Sequence, residues 1–112
     1  PNGYFDNLLV LMEKDAIYRD SDLGREAVAQ QLGISNSYLT QLIKENTGDS
    51  FTSFINQYRV KDVERMLQDD SFEHFDVLSI GLEAGFKSKT GFYSTLKKIN
   101  GLTPSQFRNN RS

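Results

Sequence analysis

Two short stretches concentrate the side chains able to do chemistry. One holds Asn36, Ser37, Tyr38, Thr40, Gln41 and Lys44; the other holds Lys87, Ser88, Lys89, Thr90, Tyr93, Ser94 and Lys97. Their amides, hydroxyls and ammonium groups form hydrogen bonds and neutralise anions. A hydroxyl becomes a nucleophile only beside a general base, and His74, the only histidine, stands alone in an acidic stretch. There is no cysteine, hence no disulfide framework, thiolate metal site or thiol nucleophile. Asp69, Asp70, Glu73 and Asp76 cluster, but without the glycine turn and ligand spacing of a calcium loop, so a solvated loop is expected. No glycine-rich phosphate loop or Ser/His/Asp constellation stands out. The expectation is a binding protein without metal, cofactor or catalytic site, not an enzyme.

Charge says what kind of partner those groups suit. The net charge of −2 argues at first sight against a polyanion, but its distribution matters more than its total. Residues 1–50 carry four basic and eight acidic side chains. Residues 87–112 carry Lys87, Lys89, Lys97, Lys98, Arg108 and Arg111 and no acid. A mildly acidic chain thus ends in a strongly basic block, which is either a solvated tail or a surface for an anion. No apolar run approaches the roughly 20 residues that cross a bilayer and no signal peptide is visible, so a cytoplasmic protein without membrane contact is expected. The chain begins at Pro1 rather than Met, which reads as a fragment of something longer.

The elements that must position these groups read as helices throughout. Phe5, Leu8, Leu9 and Met12 form one apolar stripe at helical spacing. Lys14–Leu23 breaks the pattern as a connector. A helix over about 25–31 turns Ala27, Val28 and Leu32 inward and stops at Gly33. The next, capped by Ser35 or Asn36, anchors on Leu39, Leu42 and Ile43. Phe51, Phe54, Ile55, Tyr58, Val63, Met66 and Leu67 predict a long helix over about 52–69. Asp69–Asp76 reads as irregular. A helix from Val77 ends near Gly85, another follows Ser88 or Thr90 and anchors on Phe92, Leu96 and Ile99, and Pro104 opens a last short one. No strand pattern of useful length occurs, so the fold class is all-α.

The two chemical stretches belong to an internal repeat. Val28–Ile34 aligns with Ile80–Phe86, and after one inserted residue, Lys87, Ser35 matches Ser88, Leu39 matches Phe92, Lys44 matches Lys97, Gly48 matches Gly101 and Phe54 matches Phe107. Each copy has a small residue in mid-helix, Ala29 or Gly81, then a glycine four residues on, then an apolar residue. Those are the demands of a helix-turn-helix. Its two helices cross closely near the small residue, and its turn takes a residue at ease with positive φ.

With the repeat in view, Leu32-Gly33-Ile34-Ser35-Asn36-Ser37-Tyr38-Leu39 resembles the first helix-turn-helix of the AraC/XylS family of bacterial transcription regulators. Gly85-Phe86-Lys87-Ser88-Lys89-Thr90-Gly91-Phe92-Tyr93 resembles the second, and Lys97–Arg108 is similar to the segment that closes the family's domain. The resemblance covers about 23–108. It implies an all-α, seven-helix DNA-binding domain over 1–112. Its first helix-turn-helix lies at about 24–48, the linker helix at about 52–69, the second at about 77–100 and a C-terminal helix at about 104–109. It also implies two recognition helices in successive major grooves of double-stranded DNA, whose like faces lie about 34 Å apart.

On this reading Asn36 and Gln41 pair with adenine, and Lys89 with guanine. Thr90 meets a thymine methyl or a phosphate, and Ser88 with the helix-start amides holds a phosphate. Ser37, Thr40, Lys44, Tyr93, Ser94 and Lys97 face outward beside them, with Tyr38 nearer the phosphates and Lys87 in the turn. Two departures from the family pattern stand out: Gln41 where many relatives carry arginine, and Gly91 inside the second recognition helix. Expected partners are DNA, RNA polymerase and an upstream sensor or receiver domain, with the fragment itself monomeric. The Phe5–Met12 helix is either a docking surface for that upstream part or an extension of the core. The alternative function is a protein-interaction module of the same fold with weak or no DNA affinity.

Overall fold

The computed structural model describes residues 3–109; Arg111 of the basic block lies outside the described residues. Within them are seven α-helices and no strand: α1 Gly3–Glu13, α2 Arg25–Leu32, α3 Asn36–Thr47, α4 Phe51–Leu67, α5 Val77–Glu83, α6 Lys89–Asn100 and α7 Pro104–Asn109. Short 3-10 turns occupy Ile17–Arg19 in the connector and Asp70–Phe72 in the acidic segment read as irregular. The long helix starts one residue earlier than the apolar pattern suggests and stops two residues sooner. Ser50 caps its start by accepting from the Ser53 amide, and Asp69 is already extended.

The helices build two cores on one shared helix. The N-terminal half of α4 gives Phe54 and Ile55 to a core that holds Leu8, Met12, Val28, Leu39 and Ile43. Its C-terminal half gives Val60, Val63, Met66 and Leu67 to another, with Ile80, Ala84, Phe86, Phe92 and Leu96. The molecule is accordingly elongated, 43 × 25 × 23 Å. The α1 stripe is committed to the first core, with Leu8 and Met12 fully buried, so this helix extends the core rather than offering that stripe for docking. Two residues expected inward are not: Ala27 is exposed, with Ala29 taking the buried position, and Ile99 is 40% exposed.

The repeat is visible in backbone detail. In the first unit Gly33 adopts φ 73° and the Ile34 amide reaches the Ala29 carbonyl at 3.0 Å. In the second, Gly85 adopts φ 113° and the Phe86 amide reaches the Gly81 carbonyl at 3.1 Å. Both are six-to-one closures that satisfy the last carbonyls of a helix. α3 and α6 are each 12 residues long. Each is capped by a serine, Ser35 or Ser88, and closed by a left-handed glycine, Gly48 or Gly101. Thr103 and Gln106 close a reciprocal capping box at α7.

The copies differ where their helices cross. A Cβ on Gly81 would stand 2.5 Å from the Phe92 ring. The first unit has Ala29 and Leu39, both buried in its core, at the matching positions. A larger anchor on the second helix is thus matched by a smaller residue on the first, and close packing is preserved.

Candidate nucleic-acid interface

The first stretch lies along α3, whose inner face buries Leu39, Leu42 and Ile43. Asn36, Ser37 and Gln41 are exposed. Tyr38 is partly exposed and meets the Tyr4 ring edge-on at 5.8 Å, which ties it to α1. Thr40 is half-buried: its hydroxyl donates to the Asn36 carbonyl at 3.0 Å and accepts from Arg25 at 3.1 Å. The Lys44 ammonium folds back to the Gly48 carbonyl at 3.2 Å. The one cation of this stretch therefore serves the C-terminus of its own helix.

The second stretch lies along α6, anchored by the fully buried Phe92 and Leu96. Lys89, Thr90, Ser94 and Lys97 are exposed. The Lys89 ammonium lies 5.5 Å from the centre of the Tyr93 ring. Tyr93 is turned only partly outward, because its ring packs on Phe92 at 5.5 Å and leans on the second core. The Ser88 oxygen accepts from the Gly91 amide at 3.1 Å, which leaves the hydroxyl proton to donate. Ser94 donates to the Gly91 carbonyl at 3.3 Å. Lys87 is paired with Asp22 at 2.9 Å, which raises its ammonium above the ordinary lysine range.

Two features escaped the sequence reading. Arg25, exposed at the start of α2, reaches across to Thr40 on α3. An open groove of about 490 Å³ separates α4 from α6, lined by Ser50, Thr52, Ser53 and Asn56 on one side and Ser94, Thr95 and Lys98 on the other. Its sequence signal was present: Ser50, Ser53 and Asn56 recur every three residues beside the apolar stripe of α4.

The interface thus offers hydrogen-bond donors, acceptors and ammonium groups on two matched helices. Among the described residues no group of three His, Cys, Asp or Glu is placed to hold a metal, and no helix is long and apolar enough to cross a membrane.

Comparison with known proteins agrees with the helix-turn-helix fold. The family model described as a helix-turn-helix domain matches residues 28–110. The chain is 28% identical, over 90% of its length, to the HTH-type transcriptional regulator GlxA of Rhizobium meliloti (strain 1021), of which it spans 30%. It superposes on the C-terminal domain of AraT, a response regulator from Geobacillus stearothermophilus, with a TM-score of 0.75 and 28% identity, covering 86% of this chain and 77% of that one. A transcriptional regulator of the AraC type from Chromobacterium violaceum has the same fold, with a TM-score of 0.74 at 24% identity over 96% of each chain.

Proposed function

The chain belongs to the AraC-type helix-turn-helix family of transcription regulators, and from that premise we propose that it reads double-stranded DNA sequence-specifically through α3 and α6 in successive major grooves. DNA binding in transcription regulation is the family's role. The finer reading rests on one observation: two 12-residue helices with the same serine and glycine caps project polar faces from opposite halves of a single helix. In this reading Asn36, Ser37, Gln41, Lys89 and Thr90 face base edges, and the Lys89 ammonium also neutralises backbone phosphate beside its base. Tyr38, Thr40, Lys44, Lys87, Ser88, Tyr93, Ser94 and Lys97 serve the phosphates or the helix faces beside them.

The second helix-turn-helix supplies most of the attraction to phosphate, and the first mainly adds discrimination between bases. Lys89, Lys97 and Lys98 are carried by α6, whereas α3 offers Lys44 alone. We place regulation in a sensor or receiver domain outside these residues, with RNA polymerase as a further partner and the isolated domain a monomer.

Selection from a random DNA library at physiological salt tests the proposal. The expected product is a site of two half-sites about one helical turn apart. Failure to enrich any sequence above the non-specific background overturns it.

A further inference from the structure

A single helix joins the two units, and their apolar cores share no residue. What seats the second unit against the first is the connector before α2. Arg19 makes a two-point ion pair with Asp62 of α4, at 2.7 and 3.1 Å. The Asp62 side chain is 2% exposed. One turn earlier on α4, Arg59 donates to the Tyr18 carbonyl at 2.8 Å and to the Asp20 carbonyl at 3.1 Å. The turn of the second helix-turn-helix rests on this assembly. A Cβ on Gly85 would lie 2.2 Å from the Tyr18 carbonyl oxygen and 2.8 Å from Arg59 Nε. The Arg59 guanidinium lies 6.0 Å from the centre of the Phe86 ring, and Lys87 pairs with Asp22.

We infer that Arg19 and Arg59 are spacing determinants: by locking the connector between α4 and the Gly85 turn, they fix the distance and rotation between α3 and α6, and hence the half-site spacing the protein accepts. The inference rests on the two-reader function proposed above. These arginines act through the backbone they hold and touch no DNA. One inserted base pair shifts a half-site by about 3.4 Å and turns it by about 35°, so a rigid pair of readers loses the contacts of one unit. A pair hinged on α4 alone adapts.

The experiment compares the wild-type chain with R19Q and R19Q/R59Q on the selected site and on versions with one base pair added or removed between the half-sites. In the wild type the altered spacing weakens binding by ~30-fold or more, the scale of one or two lost base contacts. In the double variant that penalty falls to ~5-fold or less, base preference within each half-site is unchanged, and Arg19→Lys, which keeps a cation opposite Asp62, restores part of the penalty. The ratio between spacings does not follow overall stability, so a merely destabilised variant keeps it. R19Q alone carries the same comparison if the double variant does not fold, because the Arg19 side chain is 48% exposed and Arg65 still pairs with Asp62. A folded variant with the wild-type spacing penalty overturns the inference while leaving the two-reader function standing. A wild-type chain that selects no two-part site overturns both.

Discussion

Residue identity divides the cations of this surface into those engaged within the protein and those open to an anion. Lys44 serves its helix end and Lys87 is paired with Asp22, whereas Lys97 is exposed and Lys89 only rests on the Tyr93 ring. Each phosphate neutralised releases condensed counterions and adds about 0.9 to the slope of log affinity against log salt. Lys89→Ala and Lys97→Ala are therefore each expected to flatten that slope by about one unit. Lys61→Ala, an exposed change on α4 near Glu13 and Tyr58, leaves it alone. Equal slopes in all three variants rule out the assignment of α6 to phosphate. Gly91 poses a second question at this scale. A glycine within a helix costs up to about 1 kcal/mol relative to alanine, but a Cβ here would press on Ser88 Oγ at 3.2 Å, the oxygen that caps the Gly91 amide, so no buried core atom demands a glycine although the helix cap feels its replacement. Gly91→Ala is expected to leave stability within about 1 kcal/mol of the wild type, because the gain in helix propensity is offset by displacement of the Ser88 cap, while weakening DNA binding through bulk added to the face proposed to approach the duplex. A melting curve and a binding titration on the same sample separate the two effects, and unchanged binding means that the glycine is merely tolerated.

Within each helix-turn-helix, the paired identities Ala29 with Leu39 and Gly81 with Phe92 act as a unit. Gly81→Ala drives a methyl into the Phe92 ring and is expected to cost about 1–3 kcal/mol by overpacking. Phe92→Leu in the same chain opens the space and recovers part of that loss. A double-mutant cycle with no coupling between the two sites disproves the exchange of volumes. This crossing was legible in the sequence, as were the serine caps and the glycine stops at 33, 48 and 101, because each is encoded within a few residues by a local rule. The connector was not. Ala16 sits at φ 51° without being a glycine, and Lys14–Leu23 has no periodicity to read. It is held by partners 41 and 43 residues away, Arg59 to Tyr18 and Arg19 to Asp62, and such pairings leave no periodic trace. The inward reading of Ile99 failed for a related reason: helical spacing marks a stripe, but the width of that stripe is set by the neighbours it meets.

For the whole molecule, stability against pH follows from two groups on α4 that tie it to the N-terminal segment. Burial alone would raise the carboxyl of Asp62, but the hydrogen bonds and charges of Arg19 and Arg65 outweigh that and hold it below the ordinary carboxylate range. Its ionised form is thus favoured by folding. The stabilisation is complete above the unfolded value of about 3.9 and is lost as pH falls through the lower folded value. Tyr58 behaves in the opposite sense. Burial, then the charge and hydrogen bond of Glu13, push its phenol up to about 12, and its hydroxyl donates to Glu13 at 3.2 Å. The folded chain therefore holds a proton that the unfolded chain releases near pH 10. The resulting stabilisation is fully present below about pH 10 and disappears as pH rises toward 12. Allowing for solvent access, it amounts to about 1–2 kcal/mol, roughly 5–10 °C of melting temperature for a domain of this size. Tyr58→Phe has no proton to lose, so its melting temperature is expected to fall less steeply than that of the wild type between pH 9.5 and 11.5, about 0.5–1 kcal/mol of neutral-pH stability having gone with the hydrogen bond. Tyr18, stacked on Tyr58 at 5.8 Å and also raised by burial, keeps a residual alkaline slope in that variant. Parallel alkaline limbs in the two proteins would show that burial and Glu13 do not hold the Tyr58 phenol protonated in the folded chain.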